Sequence, residues 1–271
     1  MPPPRSRGGL GRGDGGMKNI ATIAGREMRL YFVSPIIYVL ATVFLGITDY
    51  LFYAQTMFYA AVSAQMMRFQ QNLPQMNLHS AIFAPTLMNM SVILLLILPL
   101  FTMRLLAEEK KNRTMELLLT SPLSVTQILF GKFFAALFVY LTLLALTLHL
   151  PIGLSILSEV TWAPLGAAYL GLALMGGMFL AMGLFASALT ENQIVAAVVS
   201  FGILIGFWLV GAVSPEEGSR AAEIVRYLSM SAHLDNLVKG LIDTRDVVYF
   251  ATMTAVGLFL SHRVVDSHRW K

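Results

Sequence analysis

The chain of 271 residues contains no cysteine and few charged residues. Without cysteine it has no disulfide, no thiolate metal site and no cysteine nucleophile. Asp, Glu, Lys and Arg make up 13% of the sequence, against roughly 25% in water-soluble domains. Hydrophobic residues make up 56%. This composition excludes a soluble globular domain and also an intrinsically disordered chain.

The apolar residues lie in runs of about twenty, the length that an α-helix needs to cross roughly 30 Å of hydrocarbon. We predict six membrane spans, at residues 36–59, 85–106, 125–150, 164–189, 193–213 and 247–262. Pro35 marks the turn into the first span, and Pro151 marks the end of the third. The predicted fold class is therefore all-α, a polytopic membrane protein with six transmembrane helices.

Two segments precede the first span. Residues 1–16 are rich in proline, glycine and arginine and predict a disordered tail. Residues 17–271 are assigned to one transmembrane domain, and Met17 is an alternative to Met1 as the translation start. In residues 18–32 apolar side chains recur at helical spacing with basic ones between them, which predicts an amphipathic helix on the membrane surface.

Lysine and arginine are concentrated in three regions: before the first span, beside the connection of the second and third spans, and at the C-terminus. Six spans place these regions on one side, and basic residues favour the cytoplasmic side. We therefore predict a multi-pass protein of the cell (inner) membrane with both termini in the cytoplasm. The net charge of +4 then reflects orientation in the lipid bilayer, and we expect no nucleic-acid partner.

The connection between the second and third spans reads, from Arg104, RLLAEEKKNRTMELLLTSPLSVTQILFGKF. Thr114 is a helix N-cap, and Glu116 lies in the first turn, where the helix dipole favours a carboxylate. Pro122 ends that short helix, and the Ser124 and Gln127 pair predicts a capping box that begins the next one. The predicted transverse helix, 114–120, carries three leucines, and an exposed leucine cluster needs a partner.

These residues resemble the signature of ABC-2 type permeases, the transmembrane subunits of ABC exporters, in the gliding-motility and copper-processing branch. The matching positions are Glu108, Glu109, Lys110, Lys111, Thr114, Glu116, Leu117, Leu118, Leu119, Pro122, Gly131 and Lys132. A second stretch, Leu228 to Phe250, is similar to the segment that precedes the last span in those permeases. Arg113 departs from the pattern, because the family often has glycine before the threonine.

The resemblance implies that the transverse helix is a coupling helix seated in a groove of a separate ABC ATPase subunit. The ATPase-coupling residues that it assigns are Glu108, Glu109, Thr114, Glu116, Leu117, Leu118, Pro122 and Lys132. The two glutamates would end the second span and face the ATPase, the threonine would cap the helix, and the leucines would pack into the groove. Without this motif, the glutamate and lysine cluster would be read as an interfacial band of charge.

The implied function is a permease that exports an unidentified substrate, working as a dimer with a second copy or a paralogue. The sequence has no GxxxxGK[ST] phosphate loop, so ATP would bind the partner, and we predict no cofactor, metal or catalytic residue in this chain. An auxiliary membrane protein of the gliding type is a further candidate partner.

Asp49 is the sole acidic residue deep in a predicted span, where a charge costs at least about 2.5 kcal/mol. We treat it as a candidate for the transport path; snorkelling or a partner on a neighbouring helix is the alternative. His149 is expected to be interfacial.

Three rival functions are an integral membrane enzyme, a gradient-driven secondary transporter and a tether for an ATPase. The spans contain no HExxH or GxSxG motif and are mostly unbroken, which argues against the first two.

Overall fold

The computed structural model describes residues 12–69, 77–115, 123–211, 225 and 227–267. These residues form ten α-helices and one π-helical turn, and they contain no β-strand. The elements are α1 (Arg12–Val33), α2 (Pro35–Phe69), the π-turn (His79–Phe83), α3 (Ala84–Thr102), α4 (Ala107–Lys111), α5 (Val125–Leu146), α6 (His149–Ser155), α7 (Trp162–Leu189), α8 (Gln193–Val210), α9 (Met230–Val238) and α10 (Thr244–Ser267).

Six helical stretches of the described residues are long and apolar enough to cross a membrane, which confirms the predicted all-α, six-span class. They are Pro35–Met66, His79–Lys111, Val125–Ser155, Trp162–Leu189, Gln193–Val210 and Thr244–Ser267. A helix also occupies the segment predicted to be amphipathic, and it breaks at Ser34 before Pro35, as expected. The domain boundary after Gly16 stays a prediction; α1 begins at Arg12, and residues 1–11 lie outside the described part.

Several predicted boundaries are wrong. The second span runs from His79 to Lys111 and not over 85–106, because the π-turn precedes α3 and α4 continues it. The first span continues beyond Tyr59, because residues 60–69, AAVSAQMMRF, are mostly good helix formers and extend the same helix to Phe69. Pro151 does not end the third span, because it lies in the first turn of α6, where a missing N–H group breaks no helical hydrogen bond. The sixth span is longer than 247–262, because α10 runs from Thr244 to Ser267 and its polar turns at both ends are not detected by hydropathy.

The fourth span, α7, is the central helix of the bundle. It is buried over most of its length, and it packs against α3, α5, α8, α9 and α10. Three of its glycines, Gly171, Gly176 and Gly183, allow close contacts inside this chain: a Cβ atom at Gly176 would lie 2.2 Å from the Tyr140 ring. The Tyr140 hydroxyl donates to the Leu172 carbonyl at 2.6 Å. Close approach at small residues is how helices associate where lipid removes the hydrophobic driving force.

The first span, α2, is the least covered of the six. It packs mainly against α3 and the π-turn, and buries Phe44 and Thr48 completely. The helix α9, between the fifth and sixth spans, docks against α7 instead of resting free beside the bundle, burying Leu234 and Leu237. Residues 212–224 and 226, which precede α9, lie outside the described residues.

Candidate functional site

The end of the bundle that holds α1, α4 and the first turns of α5, which we call the α1 end, gathers the charges of the second connection. Here α1 packs along α5, and a Cβ atom at Gly131 would lie 2.6 Å from Cγ2 of Ile23. Such a distance is shorter than any ordinary contact of a Cβ atom. Gly131 therefore lets α1 lie directly beside Lys132.

Lys132 is the centre of a buried ion cluster that we call the Lys132 triad. Its side chain is 3% exposed, and Nζ lies 3.1 Å from Oε1 of Glu27 and 2.8 Å from Oε1 of Glu109. The three side chains come from α5, α1 and α4 respectively. A charged group is buried only when it is paired, and removal of one partner leaves an uncompensated charge. The triad therefore links three helices through one ammonium group.

The junction of α3 and α4 is held by the end of α7. The Ser187 hydroxyl accepts from the backbone N–H groups of Leu106 and Ala107, each at 3.0 Å, and donates to the Met103 carbonyl at 3.0 Å. The Lys110 ammonium donates to the carbonyl of Ala188. Because the first N–H groups of a helix have no partner within it, Ser187 acts as an N-cap supplied from another span.

Arg104 connects α3 to the bend before the first span. Its Nη1 donates to Oγ of Ser34 at 3.0 Å, and its Nε lies 3.5 Å from Oε2 of Glu108. The Glu108 side chain is 47% exposed, so water screens this ion pair and its contribution to stability is small. Arg104 and Glu108 are consequently available to other ionic groups at this end.

A left-handed turn follows α4. Arg113 has φ 57°, a conformation that favours glycine and disfavours other residues. The Thr114 hydroxyl donates to the backbone carbonyl of Glu109 at 3.2 Å. The turn therefore takes, at Arg113, the backbone conformation for which the resembled family often uses glycine.

A cavity of about 550 Å³ lies beside the triad at the α1 end. Its walls carry the charged side chains of α1, the second span and α5, together with Asn112, Thr114 and Tyr31. Burial raises the pKa of the Tyr31 phenol above its usual range, and Glu27 adds to the rise. The ring is thus neutral, and it stacks on Phe101 with 4.5 Å between the centroids.

The structure brings four of the predicted coupling residues together. Glu109 and Lys132 are bonded to each other, and Glu108 and Thr114 lie with them around the cavity. Glu116, Leu117, Leu118 and Pro122 lie outside the described residues, so the transverse helix stays a prediction. The capping box that begins the third span is confirmed: the Ser124 hydroxyl accepts from the Gln127 N–H, and the Gln127 side chain accepts from the Ser124 N–H.

Asp49 has a partner on a neighbouring helix. Its Oδ1 lies 3.2 Å from Nε2 of His149, and both side chains are about half exposed. The other ring nitrogen, Nδ1, lies 2.7 Å from the Leu146 carbonyl and donates to it. Oδ1 of Asp49 makes no hydrogen bond among the described residues, so the approach of His149 is a close contact of two polar groups. The role of Asp49 in a transport path stays a prediction.

A second polar cluster lies at the opposite end of the bundle, around His233. Its Nδ1 lies 2.6 Å from Oδ1 of Asp246, and its Nε2 lies 2.9 Å from the Tyr227 carbonyl. Asn236 donates to Oδ2 of Asp246 at 3.2 Å, and the Tyr249 ring stacks on His233. This cluster fastens α9 to α10 within the stretch, Leu228 to Phe250, whose pattern resembles permeases. None of these residues was predicted from the sequence to have a role.

The chain is similar to a known family of membrane proteins. The family model described as "ABC-2 family transporter protein" matches residues 53–260. No curated protein matches the chain. The matched range begins within α2, so the resemblance of α1 and the assignment to the gliding-motility and copper-processing branch stay predictions.

Proposed function

The chain belongs to the ABC-2 family of transporter proteins, and we propose that it is the permease of an exporter driven by ATP hydrolysis in a separate subunit. Family and spans make it a multi-pass transmembrane subunit of an ABC transporter. Members of this family typically act with an ABC ATPase subunit. The proposal has three further parts. The transporter exports its substrate, this chain binds an ABC ATPase subunit, and it lies in the cell (inner) membrane with both termini in the cytoplasm.

The Lys132 triad is the observation that best supports a role in coupling to the ATPase. It joins the surface helix α1, the end of the second span and the start of the third through contacts of 3.1 and 2.8 Å. A displacement of the connection between those spans is therefore transmitted to three helices together. Rigid elements linked in this way suit the rigid-body and helix shifts by which transporters change state.

The force is proposed to enter through the segment between Glu109 and Lys132. Leu117 and Leu118 would pack into the ATPase, with Thr114 and Pro122 setting the ends of the helix and Glu116 in its first turn. Closure of the ATPase dimer around ATP would push this segment, and a two-state permease would respond by changing the side on which it is open. Ser187 and Lys110 support the proposal, because they fix α4 to the central helix α7.

A second permease copy or a paralogue is proposed to complete the transport path. α2 and α8 leave most of their apolar surface uncovered within one chain, which is compatible with a helical partner in the bilayer. Asp49 lies about 21 Å along α2 from Pro35, at about 1.5 Å per residue, well inside the hydrocarbon region. We assign Asp49 and His149 to the polar surface that cargo meets.

Affinity purification in mild detergent tests the partnership. We expect recovery of a protein with a phosphate loop, whose ATP turnover rises in the presence of cargo. Charge reversal by Glu108→Lys with Glu109→Lys, or Leu118→Asp, should abolish coupled transport while the permease remains inserted. Glu159→Lys, in an exposed loop at the other end, is the matched charge reversal and should leave transport unchanged.

Each rival function gives a different result. A purified chain that transports or catalyses alone would overturn the proposal in favour of a secondary transporter or a membrane enzyme. An ATPase that co-purifies but whose turnover no cargo stimulates would indicate a tether. Normal transport by the Glu108 and Glu109 double variant would remove the coupling assignment.

A further inference from the structure

An apolar surface groove adjoins the cavity at the α1 end. The groove runs between the start of α2 and the end of α3, and Tyr31 and Arg104 line both the cavity and the groove. Beyond these two residues the walls are mainly aliphatic and aromatic, with Ile37, Leu40 and Leu100 among them. The groove is a shallow furrow of about 10 Å³, so a ligand with its polar head in the cavity, or chamber, lays its apolar chain along the exposed surface of α2 and α3.

The chamber lies at the depth of lipid headgroups. Pro35 begins the first span, and the second span reaches its last turns at Arg104 and Glu108, so the charged wall lies where these spans leave the hydrocarbon. The amphipathic helix α1 forms the remaining wall, and helices of this kind lie at the boundary between headgroups and acyl chains. The groove leads from this depth toward the middle of the bilayer.

The charges of the chamber are balanced. Three basic groups, on Arg26, Arg104 and Lys132, face three carboxylates, on Glu27, Glu108 and Glu109. Lys132 is buried and engaged by two of the carboxylates. Arg104 is held only by Ser34 and the half-exposed Glu108, so Arg26 and Arg104 are the cations that can turn to a ligand. A wall with equal numbers of both signs favours a zwitterionic ligand over one with a net negative charge.

One carboxylate oxygen in the wall of the chamber lacks a hydrogen-bond donor. Oε2 of Glu109 is buried, and it has no hydrogen-bond partner among the described residues. A buried acceptor without a partner is costly, and a primary ammonium group supplies three N–H donors. The guanidinium groups of Arg26 and Arg104 are suited to a phosphate, which they can bind with paired N–H groups.

We infer that this cavity and groove bind a phospholipid of the same leaflet whose headgroup carries a phosphate and a primary ammonium, as phosphatidylethanolamine does. The ammonium donates to Oε2 of Glu109, the phosphate lies between Arg26 and Arg104, and one acyl chain follows the groove along Ile37 and Leu40. This site goes beyond the coupling role, because lipid binding does not depend on an ATPase. A trimethylammonium headgroup has no N–H and should bind poorly.

Native mass spectrometry of the purified full chain tests the inference. Phosphatidylethanolamine, phosphatidylcholine and phosphatidylglycerol with identical acyl chains are added separately, and the bound fraction of each is measured. We expect the ethanolamine lipid to bind about tenfold more tightly than the other two, the difference expected for a charge-assisted hydrogen bond gained or lost. Equal binding of the three lipids, or preference for the glycerol lipid, would overturn the inference.

Two matched pairs of variants locate the site. Arg26→Ala should weaken ethanolamine-lipid binding about tenfold, whereas Arg29→Ala, an exposed arginine of the same helix outside the cavity, should not. Ile37→Trp should block the groove, whereas Val39→Trp, on the exposed side of α2, should not. Equal effects within either pair would contradict the site. If Arg26→Ala does not fold, the site is still tested by the two tryptophan variants and by the relative affinities of the three lipids.

Free glycerophosphoethanolamine separates a lipid site from a site for the soluble headgroup. It has the same phosphate and ammonium but no acyl chain, so it should compete with the lipid only weakly. Competition as strong as that of the intact lipid would show that the groove contributes nothing and would overturn the lipid assignment. None of these readouts measures ATP turnover, so failure of the lipid site and failure of the coupling role are distinguishable.

Discussion

The Lys132 ammonium lies 2.8 Å from the Glu109 carboxylate, and these residues flank the segment predicted to form the coupling helix. The ion pair therefore closes the base of that connection. Glu27 adds a third helix to the same point, through a contact of 3.1 Å. In this arrangement a load applied to the connection reaches the second span, the third span and α1 at one place.

Removal of Lys132 should destabilise the protein strongly. Lys132→Ala leaves Glu27 and Glu109 buried without their cation, and we expect a loss of about 3–5 kcal/mol of stability. Replacement of the whole triad by Glu27→Leu, Glu109→Leu and Lys132→Met should be close to neutral, because no unpaired charge remains. Thermal unfolding of the detergent-solubilised protein measures both. The control is Lys111→Ala at an exposed position, and an equal loss there would contradict the role of the triad.

The contact of α1 with α5 should depend on Gly131. Gly131→Ala places a carbon atom within 2.6 Å of Ile23, so we expect α1 to shift and stability to fall by about 1–3 kcal/mol. Protease sensitivity of the α1 segment should rise. Gly202→Ala, where a Cβ atom meets nothing within 4 Å, is the matched change in a spanning helix and should be neutral or stabilising. No difference between the two alanines would refute the close approach.

Ser187 should stabilise the junction of α3 and α4. Ser187→Ala leaves the N–H groups of Leu106 and Ala107 without their acceptor, and the expected loss is about 1–3 kcal/mol. Hydrogen exchange should become faster at these two amides in particular. Ser155→Ala removes an exposed hydroxyl that bonds only within its own helix, and exchange at the junction should then be unchanged. Unchanged exchange in the Ser187 variant would argue against capping from another span.

Much of the fold follows from the sequence, because each span is a local pattern. Hydropathy predicts six spans, and the spacing of Ser124 and Gln127 predicts the capping box that the structure contains. Glu27 and Ser187 were not predicted to have a role, because their contacts join residues 105 and 81 positions apart. No local pattern encodes such distances. The early start of α10 was missed for a related reason: Asp246 is buried against His233, a partner on another helix.

The His233 and Asp246 pair should hold α9 in place. Asp246→Ala removes the acceptor of His233 and Asn236 together, and we expect a loss of about 3–5 kcal/mol with faster hydrogen exchange across Met230–Val238. Asp235→Ala breaks only an exposed pair with Lys239, so its effect should stay within about 1 kcal/mol. Similar losses in the two variants would show that the buried pair contributes no more than the surface pair.

The conformation of Arg113 should make glycine acceptable and valine unfavourable. At φ 57° a β-branched residue is strained, and Arg113→Val should cost about 1–3 kcal/mol. Arg113→Gly should be neutral or slightly stabilising, since it removes the strain but frees the unfolded chain. Lys111→Val, at an exposed helical position two residues earlier, controls for the loss of a basic side chain. Thermal unfolding of the three variants distinguishes the left-handed turn from a generic effect of charge.

The central claim is that the segment between Glu109 and Lys132 contacts an ATPase, and cysteine crosslinking tests it most directly. The chain has no native cysteine, so Leu118→Cys introduces a unique thiol. In membranes, a short bifunctional reagent should link Leu118→Cys to a protein with a phosphate loop, whereas Ile156→Cys, exposed at the far end of the third span, should give no such product. A Leu118→Cys protein that is labelled only from the outer face of the membrane, or that links to no ATPase, would contradict the account.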